Sequence, residues 1–428
     1  MDYLLVKYSP GGDLLWSRTY DFPAASGIDE AHALALDSAG NAYITGASWG
    51  GRSEDGGTGY DFATLKYDPA GNRLWERRYD TGGVEGDRAV AIQVDPAGTV
   101  YVLGWDHFRT YILLKYDAEG NFTWERRQTG PIGTVIDPPL LALDLEGHVL
   151  VAGTPETECG VHHIGVWKYD GEGQLQWART YPEEPCIAMP ARAMAVDGQA
   201  SVVVTGGRFT CDYETIQYDR DGNLEWTRSH DGPAFVDGFG TRRSPCDVPQ
   251  AMAIDAAGDI WICGRSEIQA VTMRYDAQGL LWLAAAYDGD PHRLASPAAL
   301  AVSPDGGVCL AGLALNSESG NTDYAVWKYV PTDTVHFTRG DATADGRFDI
   351  SDPVHSLLWL FTMGDAPPCI QTADTNADGV VDIADATFSL GHLFLGTAEP
   401  PPPFASCGPS ATDQALSCRR YPPCWSEL

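Results

Sequence analysis

A mainly β fold of repeated antiparallel hairpins, with a small helical module after it, is what this sequence predicts, and three observations carry the prediction. The first is the unit YDFATLKYDPAGNRLWERRY at 60–79: a short aromatic strand, a tight D-P-A-G-N turn and a returning strand. Proline fixes φ in that turn and glycine supplies φ > 0. The second is recurrence. Tyr8, Tyr67, Tyr116, Tyr169, Tyr218, Tyr275 and Tyr329 anchor copies spaced 49 to 59 residues apart. A strand-built repeat near this length is the signature of a β-propeller blade. The third is a change of composition after Tyr329, where two acidic loops each lead into an amphipathic segment.

A second hairpin alternates with the first: ALALDSAGNAYITG from Ala33, AVAIQVDPAGTVYVLG from Ala89 and LLALDLEGHVLVAG from Leu140. It returns from Ala193, Ala251 and Ala299. Its leading strands, at 33–37, 89–95, 140–144, 193–197, 251–255 and 299–303, are small and apolar, as strands crowded at an axis should be. Its second strand ends in Gly46, Gly104, Gly153, Gly206, Gly264 or Gly312, where a close backbone approach is expected. One blade is then four antiparallel strands, the outermost carrying Trp16, Trp75, Trp124, Trp177, Trp226 or Trp282. Radial repetition leaves only short sheet edges.

Six inner hairpins are present and seven outer ones are at least begun, so the propeller is six- or seven-bladed. In the six-bladed form, segment 13–20 supplies the missing fourth strand of the blade at 299–329. The chain opens half-way through a blade, with no signal peptide before DYLLVKY, and a truncated start is expected. The divisions read as 1–330 propeller, 331–338 linker, 339–396 helical module and 397–428 a Pro/Cys-rich tail.

The repeats resemble the bacterial SBBP-type β-propeller repeat, whose K-x-D-x-x-G-N-x-x-W strand and A-V-D-x-x-G-N-x-Y-V-x-G hairpin are met by stretches such as DTGGVEGDRAVAIQVDPAGTVYVLG. That resemblance covers residues 2–330 and implies a propeller and little about chemistry.

Composition bounds the function. There are 59 acidic residues against 28 basic, a formal net charge of −31, which repels nucleic acid and anionic membranes. Hydrophobic residues at 44% and aromatic ones at 11% exclude a disordered acidic body. No apolar run reaches the length of a membrane-spanning helix. The ten cysteines form no C-x-x-C. Cys263 and Cys309 lie in expected strands and read as small buried hydrophobes. The others lie in loops or the tail, which fits disulfides in an oxidising, extracellular or cell-surface setting. In the tail, a polyproline stretch from Glu399 is expected to be pinned to Cys369 by Cys407, Cys418 or Cys424.

The chemistry concentrates in Asp341–Asp352, DATADGRFDISD, and Asp374–Asp385, DTNADGVVDIAD, which lie 33 residues apart. Calcium wants six to eight hard oxygens from a tight loop. The first loop offers Asp341, Thr343, Asp345, the Arg347 carbonyl, Asp349 and Asp352. The second offers Asp374, Asn376, Asp378, the Val380 carbonyl, Asp382 and Asp385. Gly346 and Gly379 allow the sharp turn. A solvated acidic surface would account for one such loop; two in one register predict two Ca²⁺ ions. If the copies pack as a symmetric pair, Leu357, Leu358, Leu360 and Phe361 face Phe388, Leu390, Leu393 and Phe394.

Aspartate at position 12 and no entering helix make 339–396 similar to the dockerin module, a duplicated calcium loop-helix. The resemblance implies a protein partner of cohesin type, met through loop positions 10 and 11, here Ile350, Ser351, Ile383 and Ala384. The aspartates after the repeat tyrosines (Asp68, Asp117, Asp170, Asp219, Asp276) read as turn caps, and His162-His163 as a structural pair at a loop edge. No G-x-S-x-G, H-E-x-x-H or phosphate loop is present, so no catalytic residue is assigned. The sequence therefore points to an extracellular interaction protein with a protein- or glycan-binding propeller. The competing class is an extracellular polysaccharide hydrolase or lyase with the propeller as catalytic domain.

Overall fold

The turns set the strands. In the computed structural model, Asp68 Oδ1 accepts hydrogen bonds from the backbone N–H groups of Ala70 (2.9 Å) and Asn72 (2.8 Å), and Gly71 N–H closes the turn on the Asp68 carbonyl. Asp117, Asp170, Asp219 and Asp276 do the same at their own turns. The side chain satisfies backbone donors that the turn would leave open, so these aspartates are structural. The structure describes residues 2–22, 27–52, 58–81, 86–106, 110–128, 138–156, 160–182, 188–207, 212–230, 235–236, 242–243, 247–266, 269–287, 295–303, 307–315, 322–329, 337–362, 364, 366–408, 416, 421 and 424.

Between these turns the chain is mainly β, in antiparallel four-stranded sheets of blade type. Tyr3–Tyr8 and Leu14–Tyr20 pair as a hairpin. Asp29–Leu36, Ala42–Arg52, Thr58–Tyr67 and Arg73–Tyr79 make the first blade. Arg88–Val94, Val100–Trp105, Tyr111–Tyr116 and Phe122–Gln128 make the second. The third is Leu140–Leu143, Val149–Gly153, Ile164–Tyr169 and Leu175–Tyr181. The fourth is Ala191–Val196, Val202–Gly207, Tyr213–Tyr218 and Leu224–His230. The fifth runs Asp247–Ile254, Ile260–Ser266, Gln269–Tyr275 and Leu281–Tyr287. Ala295–Val302, Val308–Leu315 and Thr322–Tyr329 form a sixth sheet of three strands.

The chain divides into two compact units, 1–254 with 264–267, and 255–263 with 268–428. In the first unit the innermost strands of successive blades are neighbours, as a propeller requires. The core lies between blades. Tyr43, Phe62 and Trp75 pack with Val100, Val102 and Leu114; Tyr101, Leu113 and Trp124 pack with Val149, Val151 and Trp167.

Two corrections follow. Segment 13–20 does not complete the sixth sheet: Leu14–Tyr20 pairs with Tyr3–Tyr8, and the sheet ending in Thr322–Tyr329 has no fourth strand among the described residues. Trp282 does not hold the place of the other outer tryptophans. Lys66 pairs with Trp75, Lys115 with Trp124 and Lys168 with Trp177, but Arg274 pairs with Leu283. The turn D-A-Q-G-L closes as the others do, with Leu280 in the place of Asn72, and the pairing keeps the same offset from the tyrosine; Trp282 stands seven residues after Tyr275 where Trp75 stands eight after Tyr67, so Leu283 takes the tryptophan's place.

Five of the six glycines ending the second strands sit where a backbone presses in, and the sixth, Gly153, sits against a side chain. A Cβ at Gly46, Gly104, Gly206 or Gly312 would strike a carbonyl oxygen of the inner strand, that of Glu30, Arg88, Pro190 or Ser296. At Gly153 it would strike the Tyr111 ring, and at Gly264 both Tyr213 and the Val248 carbonyl. Four of the six face a β-bulge in the inner strand, which tips that carbonyl toward them.

The second unit ends in the helical module: α1 (Ser351–Thr362), α2 (Ile370–Ala373) and α3 (Ile383–Leu395). α1 and α3 pack together. The expected facing residues are met only in part. Leu357, Leu360, Phe388, Leu390 and Leu393 are half-buried, whereas Leu358, Phe361 and Phe394 are 49%, 65% and 64% exposed, and Ser356 and Ser389 are buried. Each helix thus buries a serine at the equivalent position and leaves one phenylalanine outside. Cys407 and Cys424 form a disulfide with each other rather than with Cys369, which is itself disulfide-bonded. Cys418 lies outside the described residues. Cys263, buried, and Cys309, half-buried, are not in disulfides.

Candidate metal centre

Each acidic loop closes on its own first and last aspartates. Asp341 accepts from Asp345 N–H on Oδ1 (3.1 Å) and from Gly346 N–H on Oδ2 (2.8 Å). Asp352 accepts from Thr343 N–H on Oδ1 (3.0 Å) and from Asp349 N–H on Oδ2 (2.9 Å). The second loop repeats this with every residue shifted by 33. Asp374 takes Asp378 N–H (3.1 Å) and Gly379 N–H (3.2 Å), and Asp385 takes Asn376 N–H (3.2 Å) and Asp382 N–H (2.9 Å). These backbone bonds fix four carboxylates that are essentially buried: Asp341, Asp352, Asp374 and Asp385.

The turn that permits this is left-handed at two places per loop. Gly346 and Gly379 have φ of 83° and 86°. Ala344 and Ala377, with φ of 56° and 61°, share the conformation although each has a Cβ. That costs about 1 kcal/mol per residue, and it occurs at the same loop position twice. The sequence gives no sign of it, because alanine is not a turn residue.

The remaining candidates lie at the rim. Asp345, Asp378, Asp382, Arg347 and Val380 are exposed, and Thr343, Asp349 and Asn376 are half-buried. Asp349 and Asp382 start the helices: Asp349 Oδ1 accepts from Ser351 N–H (2.8 Å) and Oγ (2.7 Å), and Asp382 Oδ1 accepts from Ala384 N–H (2.7 Å). Asp345 and Asp378 turn toward the N–H groups of Arg347 and Val380, both at 2.9 Å. Among the described residues, neither loop brings three carboxylates within 4.8 Å of one another.

The electrostatics of the loops are unbalanced. Burial pushes the Asp352 carboxyl up to about 6, with the neighbouring Asp341 adding to the rise. Burial raises Asp385 too, against the pull of its backbone hydrogen bonds from Asp382 and Asn376. Two like charges held side by side out of water call for a cation or a proton. The first loop holds four aspartates and one basic residue, Arg347; the second holds four and none. The donors present are carboxylate, hydroxyl, amide and carbonyl oxygens, without sulfur or imidazole. Such a set fits a hard divalent cation of the calcium kind.

The expected partner residues Ile350, Ser351, Ile383 and Ala384 are all exposed. They begin two equivalent helix faces that continue to Phe361 and Phe394, again 33 residues apart. Along α3 a groove of about 930 Å³ is lined by Ala384, Thr387, Phe388, Gly391, Phe394 and Leu395.

Elsewhere, Asp2, Asp21 and Asp29 bring three carboxylate oxygens within 4.8 Å of one another. They come from three segments, so no motif could reveal them. Asp29 is committed to the fold, accepting from Phe22 N–H (3.2 Å) and Trp49 N–H (3.1 Å). His163 is buried, its backbone N–H donates to the Pro155 carbonyl (3.0 Å), and the His162 carbonyl accepts from Met189 N–H (2.5 Å). No described helix is long and apolar enough to cross a membrane.

No protein-family model matches this chain, and no characterised protein sequence matches it. Solved structures do. A protein from Lactobacillus plantarum is 15% identical, with 77% of this chain and 96% of that one covered and a TM-score of 0.45. An alpha-L-arabinanase from Penicillium chrysogenum, complexed with arabinobiose, is 12% identical, with 69% and 92% covered and a TM-score of 0.40. A protein of unknown function from Bacteroides caccae is 13% identical, with 67% and 94% covered and a TM-score of 0.37. These are similarities in fold alone, too distant to carry anything about activity.

Proposed function

We propose that this chain is an extracellular interaction protein, in which SBBP-like blades present a protein- or glycan-binding surface and a calcium-dependent module of dockerin type docks it to a protein partner. The observation that carries the reading is the duplicated loop: four buried carboxylates held by the same backbone N–H groups in two copies. A solvated acidic surface has no reason to bury its first and last aspartates, nor to do so twice in one register. A cation that binds those oxygens only in the folded state converts its binding free energy into folding free energy. The paired exposed faces from Ile350 to Phe361 and from Ile383 to Phe394 support docking, because apolar side chains left outside in equivalent positions mark an interaction surface. The Cys407–Cys424 disulfide supports an oxidising location.

Calorimetric titration of the full chain with calcium is the test. Two ions per chain are expected, with one lost in Asp345→Ala and the other in Asp378→Ala. A chain that binds no calcium contradicts the reading.

A further inference from the structure

The tail does not simply trail from the module. Tyr421 is fully buried, 80 residues from the first loop in sequence, and its phenol O–H donates to Asp341 Oδ2 at 2.5 Å. Its ring packs in a cluster with Phe337, Cys369 and Cys424, against which Ala344 of the loop also rests. Three further links hold the tail there. Phe337 and Gly408 exchange backbone hydrogen bonds (3.0 and 3.2 Å), Arg339 N–H donates to the Pro403 carbonyl (2.6 Å), and Cys424 is tied to Cys407.

We infer that Tyr421 is a positioning residue of the first cation site, so that the C-terminal tail is a working part of that site and not of the second. This rests on the calcium reading above. Oδ2 of Asp341 receives two donors, Gly346 N–H and Tyr421 O–H. An oxygen so occupied is held to the protein, and the orientation of the carboxylate is fixed for the ion. The second loop is served differently. Asp374 Oδ2 receives Gly379 N–H, and the buried guanidinium of Arg339 stands 3.5 Å from it. A neutral hydroxyl orients Asp341, whereas a full positive charge already faces Asp374. The two loops, near-identical in sequence and backbone, are therefore unequal as cation sites. The first depends on the tail, and the second carries a resident cation that competes with the ion.

Partners that orient a ligating carboxylate are worth 10- to 100-fold in metal affinity. The experiment is calcium calorimetry on the full chain and on Tyr421→Phe, each also in an Asp378→Ala background that isolates the first loop. Phenylalanine keeps the ring in its buried cluster and removes only the hydroxyl. The expected result is a first site weakened about tenfold, with the second site unchanged in the chain that retains it. The unchanged second site doubles as the control for folding. Equal affinity at the first site in both chains overturns the inference while leaving the calcium reading intact. So does an equal loss at both sites, which would make Tyr421 a general packing residue. Absence of calcium binding by the unsubstituted chain overturns both readings.

Discussion

Trp75 shows what one residue of the repeat does. Its indole N–H donates to the Ala118 carbonyl of the next blade at 3.2 Å, and its ring lies against Gly120. Lys66 Nζ reaches the same carbonyl, and the Arg77 guanidinium takes the Gly120 carbonyl. The pattern recurs with Trp16 and Arg18 on the turn at Pro69 and Gly71, and with Trp177 and Arg179 on that at Arg220 and Gly222. Trp16, Trp75, Trp124 and Trp177 are thus clips onto the neighbouring turn. Trp75→Ala should cost about 3–5 kcal/mol, and chemical denaturation of the full chain would show it. Gly120→Ala should also destabilise, since φ is +79° and a Cβ there meets the indole. The repeated G and W were legible as a motif. Their meeting was not, because partners 45 residues apart in Trp75 and Gly120 belong to different blades. At the same scale, burial pushes the Asp87 carboxyl up to about 6 from 3.8. A raised carboxyl favours the folded state while protonated, and that contribution is lost as pH rises through about 6. Asp87→Asn should therefore gain melting temperature relative to the unsubstituted chain between pH 4 and pH 7. A constant difference across that range would contradict the assignment.

The loop-helix element was the most legible part of the chain, because its donor spacing is short-range. Both loops appear at the expected residues, with glycine at the expected turn. The packing of the helices was not legible. A periodic apolar stripe does not say which side of it is buried when the helix also carries a serine that fits closer. Ser389 Oγ pairs with Thr375 Oγ1 of its own loop (3.0 Å), and Ser356 Oγ donates to the Asp352 carbonyl of its own helix (3.1 Å), so each buried hydroxyl is satisfied within its own copy. Removing a buried loop aspartate leaves backbone donors unpaired as well as removing a ligand. Asp374→Ala should accordingly loosen α3 and its loop, and Asp341→Ala should loosen α1, with the blades unaffected in both. Proteolytic susceptibility of 339–396 against that of the blades distinguishes the two regions.

At the scale of the whole molecule, the propeller class followed from period alone, while the fate of its ends did not. Counting hairpins allows strand exchange by 13–20, but Leu14–Tyr20 pairs instead with Tyr3–Tyr8. The proposed absence of chemistry in the blades is also testable: a chain lacking the C-terminal module should not turn over polysaccharide. Turnover that disappears on changing one acidic residue would reassign it as an enzyme. The central claim, that a cation organises the duplicated loops, is tested most directly by hydrogen exchange of the full chain with calcium and with chelator. Calcium should slow exchange at Asp345, Gly346, Asp378 and Gly379 and across α1 and α3, and leave the blade strands unchanged. Identical exchange under both conditions would contradict the account.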